Sequence, residues 1–227
     1  MGIAYNPRIV TDGLVLALDA GNTKSYPGSG TTWYDLSGNG NNGTLTNGPT
    51  YSSVNGGSIV LDGTNDYINF SSFVNPYSET VIVWARSATE NWDDTGWISS
   101  SRAQNGHIIH PNAGAKSINF YVIPEIVSYP SILSITPNDI TIPHMYCYTT
   151  NGSNLHQVYF DGSFIGQSTY NITRTLTPSP QRYDVGFDNA GGGRYGNGNI
   201  YYVMRYNRAL TASEIQQNYN ATKSRYF

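Results

Sequence analysis

Charge is the scarcest feature of this 227-residue chain: Asp, Glu, Lys and Arg together make up 12% of it, against about 25% in an ordinary soluble domain. A formal net charge of −3 leaves no basic stripe to neutralise phosphates, so no nucleic-acid partner is expected. No Lys/Arg cluster exists for an anionic membrane surface to attract. Apolar runs stop far short of the roughly 18–20 residues a bilayer span needs, so no membrane partner is expected either. The single cysteine, Cys147, excludes an intrachain disulfide. Within Met145-Tyr146-Cys147-Tyr148 it reads as a small buried hydrophobe on a strand. Met1 to Arg8 lacks the basic head and apolar run of a secretory signal. The expectation is a protein made in the cytosol.

What the chain has instead is Gly 24 and Tyr 19, with a surface left to Asn, Ser, Thr and Tyr. Its length suits one large all-β domain, which hides roughly 70–75% of its unfolded surface and needs no staples. The stretch from Gly56 to Phe70 sets the pattern. Ile59-Val60-Leu61 and Tyr67-Ile68-Asn69-Phe70 have high strand propensity, Asp62-Gly63 suits a tight reversal, and Thr64, Asn65 and Asp66 form a ledge of side-chain oxygens. Such a unit predicts strands returning into one antiparallel sheet. Gly13 to Asp19 and Thr80 to Arg86 read as buried strands, and shorter candidates recur to Tyr206. Between them, residues 20–55 carry repeated turn signals. Trp33, Tyr34, Leu36, Leu45 and Tyr51 are expected to anchor that loop with short strands of its own, and its Asn side chains to tie it to nearby backbone. Prolines at 124, 130, 137 and 143 confine Glu125 to His144 to loops and edge strands. Thr211-Ala212-Ser213-Glu214 is a capping box opening one short C-terminal helix. The expected architecture is an all-β jelly-roll sandwich of two antiparallel sheets over residues 13–227, preceded by an arm at 1–12.

Several residues have the chemistry of a site. Trp92 with Asp94 and Trp97, and Tyr195 with Asn197, pair aromatic faces with amides and acids, as glycan binding requires. Asp62, Asn65, Asp66 and Asp188 offer the hard oxygens that Ca²⁺ prefers; the alternative is that Asp62 and Asp66 cap their own turns. His107 and His110 are three apart on a strand, hence on opposite faces, and read as ordinary polar residues. No Gly-x-Ser-x-Gly elbow is present.

Five local patterns taken together resemble the laminin-G-like branch of the concanavalin A-like lectin/glucanase jelly rolls. They are Gly13 to Asp19 with Asp35-Leu36-Ser37-Gly38-Asn39-Gly40-Asn41-Asn42-Gly43-Thr44; Leu61 to Tyr67; Val83-Trp84; Val158-Tyr159-Phe160-Asp161-Gly162; and Tyr206 to Thr211 with Glu214-Ile215. The resemblance spans roughly residues 13 to 225. It implies two curved sheets packed face to face, one of them concave, and a structural calcium near the loop ends; no other cofactor is implied. Glucanases of this fold carry alternating acids on one strand, whereas Glu79, Glu90, Glu125 and Glu214 have no acid two positions away. Glu79 and Glu90 are expected to flank the Trp84 strand. No catalytic residue is assigned, and the protein is expected not to be an enzyme.

The segment from Arg8 to Leu14 running into Asp35-Leu36-Ser37-Gly38 looks most like tailed-phage structural proteins. The resulting expectation is a virion surface protein: a capsid decoration, head fibre or tail fibre subunit that is a homo-oligomer and binds a host-surface glycan. Ile3, Tyr5 and Pro7 of the arm, with Tyr226 and Phe227, would contact other virion proteins. The other readings are a free carbohydrate-binding module or bacterial adhesin and, third, a glycoside hydrolase.

Overall fold

A computed structural model describes residues 8–74, 76–92, 98–100, 106–123, 130–171, 180–188 and 194–226. Two eight-stranded antiparallel sheets account for most of them. In the first sheet the strands run Ser163–Ser168, His156–Phe160, His144–Thr150, Glu79–Ser87, Asn197–Tyr206, Ser58–Asp62 and Thr50–Ser52. Leu14–Asp19 also pairs with Asn197–Tyr206, along the half that Ser58–Asp62 leaves free. The second sheet runs Ser131–Ile135, Ile118–Ile123, Gly106–Pro111, Ser99–Ser100, Pro180–Val185, Tyr67–Val74, Gly43–Thr46 and Thr32–Trp33. A short ribbon, Phe187–Asp188 with Arg194–Tyr195, stands beside them.

The period-2 alternation of a strand explains how the apolar run at 80–85 is used. Val81, Val83 and Ala85 face the second sheet and join Phe70, Phe120 and Tyr183 in the main core. Ile82 and Trp84 point the other way, into a second cluster with Met145, Cys147, Tyr206 and Ile215. That outer cluster is roofed by the helix Ala212–Thr222, where Thr211 and Glu214 form the expected capping box. The central strands of the first sheet are therefore buried on both faces, with the helix as a third layer over them. Cys147 lies in the outer cluster, where burial raises its thiol pKa far above the ordinary value.

Several expectations need correction. Ser58–Asp62 and Tyr67–Val74 do not pair with one another; they belong to opposite sheets. The ledge at 63–66 is an arch across the sandwich, with Gly63 at φ 76° where a Cβ would meet Asn197. Local propensity defines both strands, but which neighbour each pairs with depends on apolar faces far away in sequence. Glu79 is the first residue of its strand and is fully buried. Arg8 to Asp12 pack on the chain's own domain. The Val10 N–H donates to Asn218 Oδ1 at 2.8 Å, Tyr206 Oη donates to the Val10 carbonyl at 2.9 Å, and Gln217 Nε2 donates to the Arg8 carbonyl at 2.7 Å. This segment is strapped to the chain's own helix. Tyr226 is 7% exposed and packs on Trp84 and Tyr201, so its ring is already used within the domain. Ile3, Tyr5, Pro7 and Phe227 lie outside the described residues.

Candidate functional site

The residues put forward for glycan binding do not form one surface. Trp92 is 4% exposed. With Asn197 it lines a void of about 20 Å³, room for a single water and not for a sugar. Asp94 and Trp97 lie outside the described residues. Tyr195 joins a cluster with Phe187 and Tyr67, at ring centroids 4.8 and 6.2 Å away. Arg182 sits over Phe187 and Tyr67 and is paired with Asp184 at 2.7 Å. These rings spend their faces on each other and on the guanidinium.

The oxygen ledge behaves as a turn. Asp62 Oδ1 accepts the N–H groups of Thr64 at 2.8 Å and Asn65 at 3.3 Å. The Thr64 hydrogen bond holds the Asp62 carboxyl below its ordinary pKa, while burial and then the Asp62 charge raise that of Asp66. Of Asp188 only the backbone is described. Among the described residues no three His, Cys, Asp or Glu side chains gather as a metal centre. The donors present fit a turn better than the six to eight oxygens of a calcium ion. Treatment with EDTA is expected to move Tm by less than about 1 °C; a fall of several degrees would place a stabilising cation here.

Sequence reading missed a buried polar chain. Ser99 Oγ lies 2.9 Å from His107 Nε2, and His107 Nδ1 lies 3.1 Å from Glu79 Oε1. Arg205 Nη2 donates to Glu79 Oε2 at 2.6 Å. All four residues are fully buried. Burial alone would raise the Glu79 carboxyl, but the His107 ring and the Arg205 guanidinium outweigh it and hold the pKa at about 2. Burial lowers the His107 pKa by more than Glu79 raises it, leaving it below the ordinary imidazole value. The order Ser–His–Glu is that of a hydrolase relay. None of the clefts described here is lined by Ser99, His107 or Glu79.

The surface best suited to a ligand lies at one end of the sandwich. A cleft of about 530 Å³ is lined by Val15, Asn39, Asn41, Phe73, Val74, Pro76, Tyr77 and Asn207. Tyr77 is 41% and Val74 48% exposed, so apolar surface is open to solvent. The loop bearing two of the asparagines is organised by Asp35, whose carboxylate accepts the N–H groups of Ala17, Ser37 and Asn41. Asn41 Nδ2 donates to the Val15 carbonyl at 2.8 Å and Asn39 Nδ2 to the Leu14 carbonyl at 3.2 Å. With their NH₂ groups committed, both amides keep carbonyl acceptors for a partner. The Phe73 ring also packs against Arg205, whose guanidinium carbon is 4.1 Å from the ring centroid. The buried ion network thus supports the cleft from below. Among the described residues no charged side chain lines the cleft. An aromatic face among amides, in a site of this size, is the composition that orients a sugar. The asparagine loop was visible in sequence as a tied-down loop; its meeting with Tyr77 was not, since that depends on how the two sheets stack.

Comparison with known proteins agrees with this architecture. The family model described as the concanavalin A-like lectin/glucanases superfamily matches residues 62–216. Among solved structures, the binding domain of botulinum neurotoxin DC in complex with rat synaptotagmin II superposes with a TM-score of 0.71 at 14% identity, covering 94% of this chain and 52% of that one. Domain 4 of AbnA, a GH43 extracellular arabinanase from Geobacillus stearothermophilus in complex with arabinotriose, gives 0.68 at 16% identity, covering 90% and 97%. Trypanosoma rangeli sialidase in complex with the inhibitor DANA gives 0.64 at 13%, covering 99% and 36%. The chain spans about half the length of the neurotoxin binding domains it matches. No curated protein sequence matches it.

Proposed function

The chain belongs to the concanavalin A-like lectin/glucanase superfamily, and from that premise we propose that it is a non-enzymatic recognition domain. It binds glycans in the cleft beside Tyr77 and is carried in many copies on a tailed-phage virion. The observation that carries the binding reading is the exposed Tyr77 ring set among Asn39, Asn41 and Asn207 in a cleft whose described lining carries no charge. The arabinotriose complex of the AbnA domain, which aligns over most of both chains, supports the same chemistry. A single shallow site of this kind binds weakly; a millimolar Kd corresponds to only about 4 kcal/mol. Display in many copies raises apparent affinity by about 10²–10⁴, which is what a virion supplies. The likeness of Arg8 to Leu14 and Asp35 to Gly38 to phage structural proteins supports that setting. Burial of the Ser99–His107–Glu79 chain speaks for a structural role rather than hydrolysis.

Arabinotriose is the first probe, followed by a panel of neutral oligosaccharides. Tyr77→Ala is expected to weaken binding severalfold, up to about tenfold, with the fold intact, because a stacked ring contributes about 0.5–1.5 kcal/mol. Unchanged binding by the variant would overturn the assignment of the cleft. Labelling of purified particles with an antibody to the domain tests the setting. Its absence from particles would favour the second reading, a free carbohydrate-binding module or bacterial adhesin.

A further inference from the structure

We propose that a second cleft, between Arg8 and the end of the C-terminal helix, binds the carboxylate of an acidic saccharide such as a uronic-acid unit. Its saccharide part rests on the glycan-binding reading above; its charge preference rests on separate residues. The cleft has a volume of about 780 Å³, within the roughly 300–1,000 Å³ of small-molecule sites. The strand Leu14–Asp19 divides it from the first cleft. Val15 lines the Tyr77 side, whereas Leu14, Ala17 and Asp19 line this one.

The two clefts differ in charge. Arg8 and Arg225 both border the second cleft, and among the described residues Asp19 is the only carboxylate on its lining. Asp19 is 3% exposed; it accepts the Gly21 N–H at 3.0 Å and is paired with Arg225 Nη1. That pairing engages one nitrogen of the Arg225 guanidinium and holds the planar fork in place with donors to spare. The Arg225 side chain is 41% exposed. Arg8 is exposed, and its backbone is held at the rim by Gln217. Among the described residues its guanidinium has no ion-pair partner. Ala221 and Thr222 bring the carbonyl end of the helix to the wall, worth about half a negative charge. Asp19 cancels one guanidinium and the helix end about half of the other, so the cleft stays positive in a chain of net charge −3.

The floor selects a ligand larger than a bare anion. Ile9, Leu36 and Tyr202 give it an apolar surface, and Leu36 is 38% exposed. A free phosphate would leave that surface wet. A pyranose ring lays a C–H face on it and brings its carboxylate to the arginines, where charge-assisted hydrogen bonds are strong and geometrically selective.

Calorimetric titration of the full chain with a uronic-acid trisaccharide and with arabinotriose tests this. The acidic trisaccharide is expected to bind, with Kd rising severalfold between about 50 and 300 mM salt because the rim charge is exposed to screening. Arg8→Glu is expected to weaken it about tenfold or more while leaving Tm and arabinotriose binding unchanged. Tyr77→Ala is expected to leave the acidic ligand unaffected. Arg225→Lys, which keeps a cation against Asp19, is expected to fold and to bind the acidic ligand less tightly. Uronate binding that ignores Arg8→Glu overturns the proposal, as does a protein that binds arabinotriose but no uronate. A protein that binds neither loses both this proposal and the glycan reading it rests on.

Discussion

Glu79→Gln is expected to cost about 3–5 kcal/mol of folding stability, the penalty for stranding a buried partner charge. Against the usual 5–15 kcal/mol total, that places the variant near the edge of folding. Glutamine preserves the shape of the side chain, so the loss isolates the charge facing Arg205, which is also fully buried. Replacing both Glu79 and Arg205 with methionine is expected to cost less than either single change, because no charge is then left without its counterion. Urea unfolding of Glu79→Gln, Arg205→Met and the double variant checks the ranking.

The same pair imposes a pH dependence of definite sign. The carboxyl of Glu79 moves from an ordinary 4.5 to about 2 on folding, so between those values the unfolded chain holds the extra proton. Its contribution is complete above about pH 4.5 and disappears as pH falls toward 2, on the order of 3 kcal/mol in all. His107 acts in the same direction. Burial lowers its pKa in the fold, so as pH drops below the ordinary imidazole value of about 6.5 the unfolded chain binds the proton first. The gap in stability between the wild type and Glu79→Gln is therefore expected to narrow from pH 7 to pH 3. A gap that stays constant would mean that Glu79 is not charged in the native state. Because Arg205 backs the Phe73 ring in the Tyr77 cleft, Glu79→Gln is also expected to weaken glycan binding at a pH where the protein remains folded.

Trp84→Ala has the second large effect. Trp84 is fully buried, donates from Nε1 to Thr222 Oγ1 at 3.0 Å, and stacks on Tyr219 at 5.6 Å with 9° between the planes. Tyr226 lies 4.5 Å from it, centroid to centroid. Truncating a buried aromatic of this size costs about 3–5 kcal/mol, which for a chain this long lowers Tm by roughly 10 °C. The ring holds the helix and the chain end to the outer face of the first sheet, so the damage is expected to be local first. Proteolysis should begin at the C-terminal helix while the strands remain protected. Thr222→Val, which removes only the hydrogen bond, is expected to cost about 1 kcal/mol. If the two changes destabilise equally, the hydrogen bond and not the packing anchors the helix.

Much of the fold was legible because its cues are local. Strand positions follow apolar and β-branched runs, as at Leu14–Asp19, which lies within the stretch Gly13 to Asp19 where the sequence places it. The capping box needs only Thr211 and Glu214 within one turn. The prolines predicted edge character before residue 144, and Ser131–Ile135 is the outermost strand of its sheet. The site was far less legible. Trp92 looks like a surface aromatic beside Asp93 and Asp94, yet 4% exposure makes it core. His107 and Glu79 looked like unrelated polar residues 28 positions apart. Tyr77, one of 19 tyrosines, carries no mark that sets it apart.

Residue order alone determined that this chain builds short antiparallel strands, one capped C-terminal helix and a surface poor in charge. Those properties rest on interactions within a few residues of each other. Tertiary structure decided what no local pattern contains: that the two strands around Asp62 part into opposite sheets, that Glu79, His107 and Arg205 meet in the interior, and that Tyr77 reaches the asparagine loop. Each depends on which apolar faces find one another across the sandwich. That choice is made by the burial of the whole core rather than by any single stretch of chain.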